Sequence, residues 1–177
     1  RGTNSTVGAS LSHFRRAKGD YIYALPRSLQ IPLSPRCDDA TFLRRVTIDI
    51  AGRLPTVEEA TQFEADISDD CRDAAVERLL ASPDYADNFA GKWNTVLRNQ
   101  RTTDGLQFVN LAMYEWIRNG LRENKPYDRF VRELLTASGT VASNPAVAWY
   151  REVANTESRV EDAAQLFLGQ RIQCARC

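Results

Sequence analysis

The sequence predicts an all-α fold, a single irregular bundle of six or seven helices. Apolar residues recur with helical spacing, capping residues stand before the apolar runs, and the pattern offers no pair of alternating strands. A length of 177 residues suits one domain with a real core. We therefore divide the chain into an N-terminal extension or tail of a preceding domain, 1–35, and a helical domain, 36–177.

The first three helices follow from apolar spacing and from residues that favour helix ends. Gly52 stands where a left-handed cap would end the first helix, so we expect a positive φ there. Thr56 and Glu59 have the form of a capping box that opens the second helix. The acidic pair Asp69-Asp70 suits the positive end of a third helix. Apolar residues recur every four positions in the first helix, at Phe42, Val46 and Ile50.

The next three helices carry the predicted core. Ser82 is a cap residue, and Pro83 follows it at the first helical position. The fourth helix has an apolar face of Phe89, Trp93, Val96 and Leu97. The fifth has Tyr114, Ile117 and Leu121. The sixth, after Pro126, has Phe130, Val131, Leu134 and Leu135. We expect the fourth and sixth faces to pack together, and Trp93→Ala to cost about 3–5 kcal/mol.

The end of the chain is predicted as a loop followed by one helix. Residues 138–156 are interpreted as the loop. Ser158 and Glu161 form a second capping box, and Gly169 ends the helix that follows. A Cys-x-x-Cys motif, Cys174 to Cys177, comes next.

Composition and charge exclude several classes of protein. With 43% hydrophobic and 26% charged residues, the chain is neither disordered nor of low complexity. Its 23 basic and 23 acidic residues cancel, so we expect no attraction to nucleic acid or to an anionic membrane. No apolar run approaches the about 18 residues that span a bilayer, so we expect no transmembrane segment in this chain.

The last four residues, Cys174 to Cys177, are the most informative feature for function. The spacing of Cys174 and Cys177 can hold a metal, form a redox pair, or attach haem when a histidine follows; the alternative is two structural cysteines. Cys37 and Cys71 are a candidate disulfide, worth roughly 3–4 kcal/mol in an oxidising compartment, or else two independent buried thiols. A four-cysteine zinc site is disfavoured because only one Cys-x-x-Cys pair is present.

The remaining candidates have ordinary structural interpretations. His13 is interpreted as a solvated side chain and Met113 as a core residue, although either type can ligate haem iron. A single histidine and the lack of nucleophile, phosphate-binding and metalloprotease motifs leave no catalytic residue to nominate. Three acidic pairs are interpreted as helix starts: Asp38-Asp39, Glu58-Glu59 and Asp69-Asp70.

Four segments of the chain, in order, resemble one known family: 42–56, 78–85, 124–133 and 167–177. Their sequences are FLRRVTIDIAGRLPT, RLLASPDY, NKPYDRFVRE and FLGQRIQCARC. They are similar to the planctomycete-cytochrome-associated domain of PSCyt type, a domain of unknown function found in large exported proteins beside cytochrome c modules. The resemblance covers roughly residues 36–177.

The resemblance implies haem c as a cofactor, with Cys174 and Cys177 as the attachment pair and the ligand histidine expected after Cys177. It also implies a periplasmic or cell-surface location and, as partners, other domains of the same polypeptide or a cytochrome c. The hypothesis is a helical module of an exported c-type cytochrome-like protein with a role in electron transfer. Two alternatives stay open, an interaction or scaffold domain with structural cysteines and a helical part of a polysaccharide-acting hydrolase.

Overall fold

A computed structural model describes residues 35–99, 107–153, 155–172 and 174. This part of the chain contains eight α-helices and one 3₁₀ helix, and no strand lies within it. The all-α prediction is therefore confirmed, with more helices than the predicted six or seven. The helices are α1 Asp39–Ala51, α2 Val57–Ala65, α3 Cys71–Leu80, α4 Pro83–Val96, α5 Gln107–Arg122, α6 Tyr127–Leu135, the 3₁₀ helix Pro145–Ala148, α7 Trp149–Glu152 and α8 Thr156–Leu168.

The chain divides into two compact units, residues 1–38 and 39–177, and all of these helices belong to the second. The first unit, which contains all of the predicted extension, lies outside the described residues except for positions 35–38. His13 is among the residues that are not described. Within the described ranges, no helix combines the length and the apolar character that crossing a membrane requires.

Three of the helix ends that depend on local sequence lie where they were predicted. Gly52 has a φ of 72° and Gly169 a φ of 66°, so both are left-handed caps as expected. Thr56 Oγ1 accepts a hydrogen bond from the Glu59 amide at 3.2 Å, and the Glu59 carboxylate accepts one from the Thr56 amide at 2.8 Å. The predicted capping box is therefore confirmed.

Two predicted helix starts need correction. Pro83 is the first residue of α4, as expected, but the Ser82 hydroxyl donates back to the Leu79 carbonyl instead of capping the helix. The second capping box, at Ser158 and Glu161, is wrong. Helix α8 begins earlier, because the Asn155 side chain caps it by accepting a hydrogen bond from the Ser158 amide at 2.7 Å.

The main core lies where α4, α5, α6 and the 3₁₀ helix meet. Its largest fully buried side chains include Leu97, Met113, Ile117 and Leu134, so the interpretation of Met113 as a core residue is confirmed. The predicted contact of the fourth and sixth helices is correct at Trp93, whose ring centroid lies 5.3 Å from that of Phe130. Leu97 and Leu134 of the two predicted faces are also buried in this core, whereas Val96 is 43% exposed and Leu135 is 38% exposed, so the prediction is wrong for these last two residues.

The prediction of a loop over 138–156 is wrong in its second half. Residues 145–152 form the 3₁₀ helix and α7, and the segment is part of the core. Ala146, Trp149 and Val153 are each at most 2% exposed. Burial of this short apolar run stabilises helical turns that its weak periodicity does not predict.

A second, smaller core joins the first three helices through Leu43, Phe63 and Ala75. Helix α1 is attached to α4 at its C-terminal end, where carbonyl groups lack intrahelical partners. The Asn88 amide donates to the carbonyls of Asp49 at 3.2 Å and of Ile50 at 3.0 Å. Asn88 of α4 thus caps the C-terminal end of α1, and Gly52 lies against the Asn88 side chain.

Candidate functional site

Cys174 follows helix α8 by a short exposed stretch. Gly169 ends the helix in a left-handed conformation, and Gln170 and Arg171 are exposed beyond it. The Cys174 side chain is also exposed. Cys177 lies outside the described residues, so the structure describes one member of the candidate attachment pair.

Helix α8, which leads to this cysteine, is held by two arginines. Arg98 donates to the carboxylate of Asp162 at 2.8 Å, and Asp162 is only 8% exposed. Arg159 donates to the Val153 carbonyl at 2.8 Å, and its guanidinium lies 5.0 Å from the centre of the Tyr150 ring. The segment after Gly169 thus extends from a helix that is attached to the core.

The described residues fit covalent attachment of haem better than they fit ligation of its iron. The exposed thiol of Cys174 is accessible for attachment, and Leu168 at the end of α8 is an apolar side chain that is 72% exposed. Met113 does not fit as an iron ligand, because it is 1% exposed within the core. The described part of the chain contains no histidine and no group of three or more potential metal-ligating side chains.

The other two described cysteines are Cys37 and Cys71. Each is half-buried and carries a thiol in the structure. The disulfide between them stays a prediction for an oxidising compartment.

The acidic residues at helix starts have the structural roles that were proposed for them. Asp39 in the first turn of α1 forms an ion pair with Arg72 at 2.6 Å. Glu59 accepts two hydrogen bonds of 2.8 Å from the guanidinium of Arg53, which also donates to Asp84 at 2.7 Å. One arginine thus joins the start of α2 to the start of α4.

The carboxyl group of Glu59 makes the stability of the domain depend on pH. Hydrogen bonds from Arg53, followed by one from the Thr56 amide, lower its pKa from 4.5 to about 2. A pKa lowered in the folded state gives stability that is full above pH 4.5 and is lost as the pH falls toward 2. Because the group is partly exposed, we expect a loss of about 1–2 kcal/mol over this range.

Urea unfolding of the Glu59→Gln variant at about pH 6 and pH 3 checks this contribution. The variant should lose stability less steeply with acid than the parent chain. Glu58→Gln is the matched control, since Glu58 is exposed and lies next to the ion pair without taking part in it. The same acid dependence in both variants would rule out the assigned role of Glu59.

An aromatic cluster between α4, α5 and α6 extends the predicted contact of Trp93 with Phe130 to two rings that sequence reasoning missed, Tyr127 and Trp116. Trp93 contacts Tyr127 and Phe130, with ring centroids 6.1 and 5.3 Å apart, and Phe130 stacks on Trp116 at 4.9 Å. A cavity of about 160 Å³ opens beside these rings. Only the presence of aromatic residues in two of the family-like segments, 78–85 and 124–133, pointed toward it.

These observations define the class of protein. It is an all-helical domain, and its described part contains no cluster of metal ligands and has an exposed cysteine beyond the last helix. Within that class, residues 20–177 match the family model PSCyt2, described as a protein of unknown function, DUF1549. The match spans most of the chain, and the chain belongs to this family. Searches of curated proteins and of solved structures found no match.

Proposed function

We propose that this chain is a helical module of an exported protein and carries haem covalently on Cys174 and Cys177. The exposure of Cys174 beyond Gly169 is the observation that supports this most directly, because thioether attachment needs an accessible thiol. The bound group would supply one-electron chemistry. A periplasmic or cell-surface location, and electron exchange with other domains of the polypeptide or with a cytochrome c, belong to the same proposal.

The residues of this chain would attach and orient the group. Cys174 and Cys177 would hold the group through one thioether bond each. Leu168, which is exposed at the end of α8, would cover part of the apolar face of the haem and exclude water from that face. The Arg98–Asp162 ion pair would keep α8 in place against the core.

Intact-mass analysis of the polypeptide purified from its source, with haem staining after denaturation, tests the proposal. We expect the mass of one haem on a peptide that contains Cys174 and Cys177, and a histidine as the next encoded residue. Changing either cysteine to alanine should abolish the double attachment, whereas Cys71→Ala, the control, should retain it. A haem-free chain with a Cys174–Cys177 disulfide would contradict the proposal and favour the scaffold alternative.

A further inference from the structure

Two adjoining cavities lie at the ends of helices α3, α4 and α5 and the start of α6. The first, the aromatic cavity, has a volume of about 160 Å³, and its walls include Tyr85, Trp93, Tyr127, Phe130, Asn124 and Lys125. The second, the polar cavity, has a volume of about 270 Å³, and its walls include Ser82 and Arg122. Both share Tyr85 and Leu121, so they form one groove.

The aromatic cavity has the size and lining that suit a single sugar ring. A cavity of about 150 Å³ holds a benzene ring, so a cavity of this size that is open on one side can take the six-membered ring of a sugar with its hydroxyls toward the opening. Aromatic walls pack against the apolar faces of such a ring, and Tyr127 is 54% exposed, so one wall is open to solvent. The hydroxyls of Tyr85 and Tyr127 and the amide of Asn124 add hydrogen-bonding groups, which suit a ring with hydroxyls at its edge.

The charges around the groove favour an anionic ligand. Lys125 lines the first cavity and Arg122 the second, and no Asp or Glu is found among the described lining residues. Lys125 is already neutralised by Glu133, whose carboxylate lies 2.6 Å from its ammonium group. Arg122 is exposed and has no ion-pair partner within the described ranges, so its guanidinium remains available for a carboxylate or sulfate.

We propose that this groove binds an acidic glycan, with one sugar ring in the aromatic cavity and an anionic group of the adjoining unit at Arg122. The site is separate from Cys174 and goes beyond the proposed haem attachment. The groove includes residues of two of the family-like segments, since 78–85 supplies Tyr85 and 124–133 supplies Asn124, Lys125, Tyr127 and Phe130.

Calorimetric titration of the full chain with short oligosaccharides tests the ligand class. The probes are oligogalacturonate and sulfated oligogalactan as the two sources of negative charge, with a neutral cello-oligosaccharide and benzoate as comparison arms. Binding of either acidic oligosaccharide in preference to both comparison arms supports the proposal. Equal binding of the neutral oligosaccharide, binding of benzoate alone, or no binding to any probe would overturn it.

Variants of exposed residues then locate the site. Arg122→Gln should weaken binding of the acidic oligosaccharide about tenfold, whereas Arg132→Gln, on exposed α6 surface, should leave it unchanged. Tyr127→Ala should weaken binding by a similar factor through the loss of a stacking wall, with the exposed Phe108→Ala as its control. Circular dichroism confirms that each variant is folded. Unchanged affinity in folded Arg122→Gln and Tyr127→Ala would place the glycan elsewhere and overturn the proposal.

Discussion

Replacement of Gly52 by valine should lower the free energy of unfolding by about 3–4 kcal/mol. The residue has a φ of 72°, which costs a β-branched side chain about 1–2 kcal/mol. A Cβ atom at this position would also lie 2.8 Å from Cγ and Oδ1 of Asn88. Since the Asn88 amide caps the carbonyls of Asp49 and Ile50, moving it leaves both without that partner, at about 1 kcal/mol each.

Two substitutions to alanine separate this strain from a general effect of replacing glycine. Gly52→Ala should destabilise the domain, whereas Gly91→Ala should stabilise it by up to about 1 kcal/mol, because Gly91 is within helix α4 and its added Cβ would meet no atom within 4 Å. Thr56→Ala should cost about 1 kcal/mol, the value of a helix cap. Denaturant unfolding measures all four, and a Gly52→Val loss no larger than that of Thr56→Ala would contradict the prediction.

A double-mutant cycle that combines Gly52→Val with Asn88→Ala isolates the contact between the two helices. If the introduced valine side chain collides with Asn88, the two substitutions together should cost less than the sum of their separate effects. Strict additivity would mean that the loss comes from backbone strain alone.

Most of the features of the fold that were predicted correctly depend on residues close in sequence. Gly52, Gly169 and the Thr56–Glu59 box each act within a few positions of a helix end, where the chemistry of one or two residues decides the conformation. Local chemistry was not always sufficient, since the caps predicted at Ser82 and Ser158 are wrong. The contact of Trp93 with Phe130 was predicted, but other contacts between distant positions were not. Asn88 caps a helix 38 residues earlier, and Arg53 reaches Asp84 across 31 positions. Periodicity shows which face of a helix is apolar, but it does not show which helix covers that face.

The same distinction explains the candidate sites. Cys174 was found because a Cys-x-x-Cys motif is contiguous in sequence, and its exposure could be expected from its place after a helix end. The groove combines Tyr85 with Lys125 and Tyr127, which lie on opposite sides of α5 in the sequence. Each of these side chains has an ordinary interpretation in its own helix. Only the packing of α4, α5 and α6 brings them together around one cavity.

Replacement of Trp149 by alanine should cost about 3–5 kcal/mol, the largest loss that we expect from a side chain in a segment predicted as a loop. Trp149 is 2% exposed, belongs to the main core and packs edge-on against Tyr150, with ring centroids 5.3 Å apart. A mobile surface loop would tolerate the same change within about 0.5 kcal/mol, because truncation would leave no cavity.

Trp93→Ala is the matched control for this substitution, since it removes the same side chain from a partly buried position. We expect it to cost about 2–3 kcal/mol instead of the roughly 3–5 kcal/mol expected from the sequence for a fully buried side chain, because Trp93 is only partly buried. Denaturant unfolding of both variants should therefore place Trp149→Ala below Trp93→Ala in stability. The reverse order would mean that residues 145–152 contribute little to the core. It would then support the prediction, made from the sequence, that residues 138–156 are a loop.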